Sequence, residues 1–182
     1  DGSGLTTMGN GNDGIESFGS NVTIGGTGVN DRNVITNNGN EGICLSGFSF
    51  NTVIIGNYIG LEPNGTSGSG NGDVGIAILG GVSGNRVGGT TEAERNVISM
   101  NFEGIEINDS NNIVQGNYIG TDATGTLNFG QRSSDSIQIN AGDWNLIGGT
   151  TAGAGNLIAF TKSGFNGVRI AGGNWNAVIG NQ

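Results

Sequence analysis

Arg95-Asn96-Val97-Ile98 and, a little further on, Gly116-Asn117-Tyr118-Ile119-Gly120 each place an asparagine directly before a two-residue strand pattern ending in Ile. The same phase recurs at Asn33-Val34-Ile35, Asn57-Tyr58-Ile59 and Asn156-Leu157-Ile158, and Asn181 holds the corresponding place near the end of the sequence. An amide kept in phase with an aliphatic pattern suits a stack of like side chains. Each amide then finds its donors and acceptor in its copies above and below, where water is excluded. Asn33, Asn57, Asn96, Asn117, Asn156 and Asn181 are therefore expected to form a structural ladder. The chain reads as a solenoid.

Two further strand patterns alternate with this one. The first is Gly-Ile-x-Ile or a near copy, at Ile15, Ile43, Ile76, Ile105, Ile137 and Val168, with intervals of 28, 33, 29, 32 and 31 residues. The second ends in glycine, as in Val22-Thr23-Ile24-Gly25, Val53-Ile54-Ile55-Gly56 and Leu146-Ile147-Gly148. Three short strands returning every ~30 residues predict an all-β, single-stranded parallel β-helix of about six coils. Residues 1–182 read as one β-helix domain, either a segment of a longer solenoid or a filament subunit. One coil cannot bury its own Ile and Val, so neighbours must supply the stability. Open ends would present strand edges to further coils or to another copy, so end-to-end self-association is expected.

A two-coil period is superimposed on the single coil. Gly88-Gly89-Thr90 and Gly148-Gly149-Thr150 repeat at twice the coil length, as do the two Gly-Asn-Tyr-Ile-Gly stretches at 56–60 and 116–120. Odd coils carry extra residues between strands two and three (27–32, 90–95, 150–155). Even coils carry them before the next first strand (61–73, 121–135).

Composition narrows the function. Six basic against fifteen acidic residues give a net charge of −9, and without clustered Lys or Arg a nucleic-acid partner is not expected. No apolar run approaches the ~20 residues of a membrane helix, so no membrane insertion is expected. The lone Cys44 has no internal disulfide partner, and the absence of His excludes a Cys-His dyad.

The Gly-Ile-x-Ile strands, the stretch Val87 to Ser99 and the Gly-Asn-Tyr-Ile-Gly-Thr-Asp stretch at 116–122 resemble bacterial right-handed parallel β-helix repeat proteins of the pectate-lyase-like superfamily. The resemblance covers nearly the whole chain. It implies right-handed winding and a secreted or cell-surface location. It does not imply one activity, because that superfamily holds lyases, hydrolases, tailspikes and adhesins. Hydrolases of the group carry paired aspartates and a Gly-His-Gly segment, and this chain has no Asp-Asp pair and no His.

The face of the first strand is where the resemblance places an enzyme groove. Its outward column reads Glu16, Cys44, Ala77, Glu106, Gln138 and Arg169. A second column, two residues before each strand's first aliphatic residue, reads Asp13, Glu41, Val74, Glu103, Asp135 and Asn166. Glu103 and Asp135 would lie one coil apart, about 5 Å, with Glu106 nearby. Such carboxylates are candidates for Ca²⁺ ligation or, with Arg169, for catalysis on a polysaccharide; a retaining glycosidase needs two carboxyls about 5–5.5 Å apart. The simpler alternative is a row of solvated acids at a coil corner. Trp144 and Trp175, each preceding an Asn, are expected to stack on successive coils, either as a sugar-binding platform or as an apolar cover over the corner. Repetition dominates over unlike polar groups gathered in one place. The expectation is a structural or adhesive fibre or spacer segment, with a polysaccharide-binding or polysaccharide-degrading β-helix as the alternative.

Overall fold

A computed structural model describes residues 8–28 and 30–182, and shows three parallel sheets wound into a β-solenoid. The first sheet stacks β1 (Ile15–Ser17), β4 (Ile43–Leu45), β7 (Val74–Ile78), β10 (Glu103–Ile107), β13 (Ile137–Ile139) and β16 (Val168–Ile170). The second stacks β2 (Thr23–Gly25), β5 (Val53–Ile55), β8 (Arg86–Gly88), β11 (Ile113–Gln115), β14 (Leu146–Gly148) and β17 (Ala177–Ile179). The third holds β3 (Val34–Ile35), β6 (Tyr58–Ile59), β9 (Val97–Ile98), β12 (Tyr118–Ile119) and β15 (Leu157–Ile158). This amounts to about 5 turns. Every strand pairs in parallel with its equivalent one coil away, Ile43 facing Ile15 and Ile76, Ile105 facing Ile76 and Ile137.

The register follows from the apolar pattern. Ile76 and Ile78, Ile105 and Ile107, and Ile137 and Ile139 point inward and are fully buried. Val87, Val114 and Ile147 line the second wall, and Ile59, Ile98 and Ile119 the third. A one-residue slip would turn each aliphatic column outward and forfeit roughly 1.5–3 kcal/mol per side chain. The core is thus a set of continuous columns, each coil covering the next.

Corners impose their own chemistry. Gly88, which ends β8, has φ +80°, and a Cβ there would lie 2.0 Å from the Gln115 carbonyl oxygen and 2.4 Å from Asn117 Oδ1. Only glycine lets the next coil's ladder asparagine come this close. The alternating insertions emerge as expected. Even-coil loops close on short antiparallel bridges, Leu61 with Gly68 and Thr121 with Asn128, and they stack through the Ala123 N–H, which donates to the Gly65 carbonyl at 2.9 Å. One turn of 3-10 helix at Glu92–Glu94 occupies an odd-coil loop. Among the described residues no helix is long and apolar enough to cross a membrane.

Candidate functional site

The polar groups of the array fall into rungs, and the expected ladder is one of three. Its side-chain amides bond in series from Asn33 to Asn57 (2.9 Å), Asn96 (3.1 Å), Asn117 (2.9 Å), Asn156 (3.0 Å) and Asn181 (2.8 Å). At each step the backbone N–H of the donor asparagine also reaches the acceptor's Oδ1, at 3.0–3.2 Å. A second ladder runs from Asn10 through Asn38, Asn71 and Asn101, ending on Gln131, whose Oε1 accepts the Asn101 N–H. The third joins Asn85, Asn112, Asn145 and Asn176. Neither was anticipated. The third was readable, because each of its asparagines directly precedes the first residue of a second-sheet strand. The second lies two to six residues before its strand and has no constant phase.

Two cross-coil clamps also escaped the sequence reading. Arg32 lies 4.0 Å above the Tyr58 ring and Arg95 4.1 Å above the Tyr118 ring. Each guanidinium also donates through Nε, to the carbonyls of Gly56 and Gly116 respectively, at 3.3 Å. The residue before an odd-coil ladder asparagine thus grips the residue after the next even-coil one, tying coils into pairs.

Two carboxylates of the first-sheet edge, Glu103 and Asp135, are not solvated. Glu103 is 8 % exposed and Asp135 2 %. Glu103 shares its pairing position with the buried Val74, and the long loop at 121–135 brings Ser134 over it. Ser134 Oγ donates to Glu103 Oε2 at 2.8 Å, while Oε1 is buried without a partner among the described residues. Burial pushes the Glu103 carboxyl up to about 7 against the lowering effect of the Ser134 bond, and the charges of Glu106, Asp135 and Asp73 push the same way. Asp135 Oδ1 accepts the Asn166 N–H (2.6 Å) and Nδ2 (2.9 Å), and Arg169 stands 3.8 Å from its other oxygen. Glu106 Oε1 accepts Asn108 Nδ2 (3.0 Å) and Asn140 Nδ2 (2.7 Å). Arg169 therefore sits beside Asp135, and amides occupy oxygens that a cation or a sugar would need.

A second acidic grouping lies on the first two coils. Ligand atoms of Asp13, Glu16 and Cys44 lie within 4.8 Å of one another. Glu16 and Cys44 are direct partners across β1 and β4, and Asp13 Oδ1 accepts the Glu41 N–H at 3.2 Å. Burial, reinforced by a hydrogen bond with Asp13, raises the Glu41 carboxyl to about 7. Burial and then the charges of Glu41, Asp13, Glu16 and Glu106 push the Cys44 thiol up to about 12. Left to itself this thiol is protonated and unreactive.

Trp144 and Trp175 stack as expected, with centroids 4.9 Å apart and planes 13° from parallel. They are 59 % and 65 % exposed, so they stand out from the corner rather than cover it. Their backbones have φ of 61° and 54°, and the equivalent corner residues of earlier coils are Asn21, Asn51, Gly84 and Asn111, all at positive φ. Asn and Gly are the residues that tolerate this conformation; Trp is not. Rungs brace the pair on both sides: Asn145 Nδ2 donates to Asn176 Oδ1 at 3.0 Å, and Asn174 N–H donates to Asp143 Oδ1 at 2.7 Å. Comparison with protein-family models, with curated proteins and with solved structures finds no match to this chain.

Proposed function

We propose that this chain is a non-enzymatic structural or adhesive segment, a spacer or fibre element, of a secreted or cell-surface protein of the right-handed parallel β-helix class of the pectate-lyase-like superfamily. The observation that carries this reading is the use of the polar groups. Three amide ladders use the recurring asparagines as rungs, and two of the candidate carboxylates, Glu106 and Asp135, hold neighbouring amides. An enzyme gathers unlike groups around one reacting atom; here like groups recur from coil to coil. The test is incubation with neutral, uronic and amino polysaccharides, reading reducing ends and unsaturated uronide absorbance. No product is expected. Turnover that disappears in Glu103→Gln or Asp135→Asn would overturn the reading.

One observation favours a sugar-binding surface as a second reading. Two tryptophans occupy strained corner positions that asparagine or glycine fill in the other coils, and strain of this kind persists where a function maintains it. Stacking covers the facing π-surfaces, leaving the ring edges and outer faces for contact. Affinity electrophoresis through polysaccharide-containing gels decides between the readings: retardation lost in Trp175→Ala supports the sugar surface, and unretarded migration in every polysaccharide removes it.

A further inference from the structure

Glu16 and Cys44 face one another across the first two coils, on the outer side of the first sheet, and Asp13 reaches the same point from the corner before β1. Their two carboxylates and one thiol converge to within 4.8 Å, a grouping that serves none of the amide ladders. Cys44 is 5 % exposed, yet among the described residues its Sγ has no hydrogen-bond partner. A buried thiol aimed at two carboxylates, with nothing to donate to or accept from, is a side chain placed without a protein partner. Glu16 is exposed to solvent.

We propose that Asp13, Glu16 and Cys44 form a binding site for a borderline-soft divalent cation of the Zn²⁺ class. Zn²⁺ binds thiolate at about 2.3 Å and carboxylate at about 2.0–2.2 Å in tetrahedral geometry, which sets neighbouring ligand atoms about 3.6 Å apart. From a spacing of up to 4.8 Å the ligand atoms must draw in by about 1.2 Å, within reach of side-chain rotation for an exposed Glu and a half-buried Asp. Three protein ligands leave the fourth position to water. Ca²⁺ fits poorly, because it takes six to eight oxygens and thiol is not among its ligands. The outer column of the same two coils carries no basic side chain; its only one, Arg169, lies four coils away on β16. Acids that hold the thiol in its neutral form would, around a bound dication, neutralise its charge instead. A bound cation inverts the local field, and the thiol proton leaves to solvent as the Sγ–metal bond forms.

The experiment is titration of the purified chain with Zn²⁺ by calorimetry and with Cd²⁺ by ultraviolet absorbance, where a thiolate–Cd²⁺ bond gives a charge-transfer band. One equivalent of each ion is expected to bind, with the Cd²⁺ band present. Cys44→Ser should abolish the band and weaken Zn²⁺ at least tenfold. Glu16→Gln, at an exposed position that does not threaten folding, should weaken Zn²⁺ about tenfold while keeping the band. Glu103→Gln should leave both unchanged, and millimolar Ca²⁺ should not compete. Absence of the Cd²⁺ band in the unaltered chain overturns the proposal. So does Zn²⁺ affinity that is unchanged in Glu16→Gln, or that falls only in Glu103→Gln.

Discussion

Asn96 and Asn117 share one oxygen: Asn117 Oδ1 accepts both the side-chain Nδ2 of Asn96, at 2.9 Å, and its backbone N–H, at 3.2 Å. Asn117 Nδ2 in turn donates to Asn156 Oδ1 and to the carbonyls of Val87 and Gln115, at 2.9–3.0 Å. Both residues are fully buried, so no water replaces a missing bond. Asn117→Leu strands donors on Asn96 and acceptors on its own and the preceding coil. At roughly 1–3 kcal/mol per buried group left unpaired, the expected loss is at least about 3 kcal/mol. Urea unfolding of the two proteins measures it, and a loss below about 1 kcal/mol would mean that the ladder is not what holds the coils.

Gly88→Ala places a methyl 2.0 Å from a carbonyl oxygen at a residue with φ +80°. Backbone is the obstacle, so a rotamer change does not relieve it. An expected cost of about 2–4 kcal/mol follows from combined clash and left-handed strain. Gly80→Ala is the internal control, since nothing lies within 4 Å of its added Cβ; its melting temperature should barely move.

Glu103 gives the fold a pH dependence of defined sign. Its carboxyl is raised from 4.5 to about 7 in the folded chain, so the folded state binds the proton more tightly than the unfolded one. This contribution is fully present below about pH 4.5, is lost as pH rises through 7, and is flat above that. It amounts to at most about 3 kcal/mol. Glu103→Gln should therefore be more stable than the parent at pH 8 and nearly equal to it at pH 4.5. Glu41 titrates over the same range, so the difference between the two stability curves, rather than either curve alone, isolates Glu103. Asp122 does not interfere: backbone and Thr124 hydrogen bonds outweigh its burial and lower it to about 2, and its contribution is lost only at more acid pH.

The Arg95–Tyr118 clamp predicts coupling between residues in different coils. A double-mutant cycle with Arg95→Met and Tyr118→Leu should return an interaction energy of about 0.5–1 kcal/mol, the range for a partly exposed cation–π contact. Strict additivity would assign the contact to chance proximity.

Much of this architecture is written in the sequence, because a solenoid repeats its local rules. Ile at alternate positions fixed which face turns inward. The recurring Asn-x-Ile phase located one complete ladder, and the alternating insertions located the two loop corners. Even Trp144 on Trp175 followed from coil spacing alone. What tertiary structure decided depends on loops of unequal length. The second ladder has no constant spacing from its strand, so only the winding brings Asn38, Asn71, Asn101 and Gln131 into line. Glu103 and Asp135 look like exposed corner acids in sequence, yet the loop carrying Ser134 folds over one and Asn166 stacks on the other. The burial of Cys44 beside Asp13 and Glu16 likewise depends on which neighbours cover an outward position. Periodicity determines where a residue stands in its coil; the loops, which break that periodicity, determine whether water reaches it.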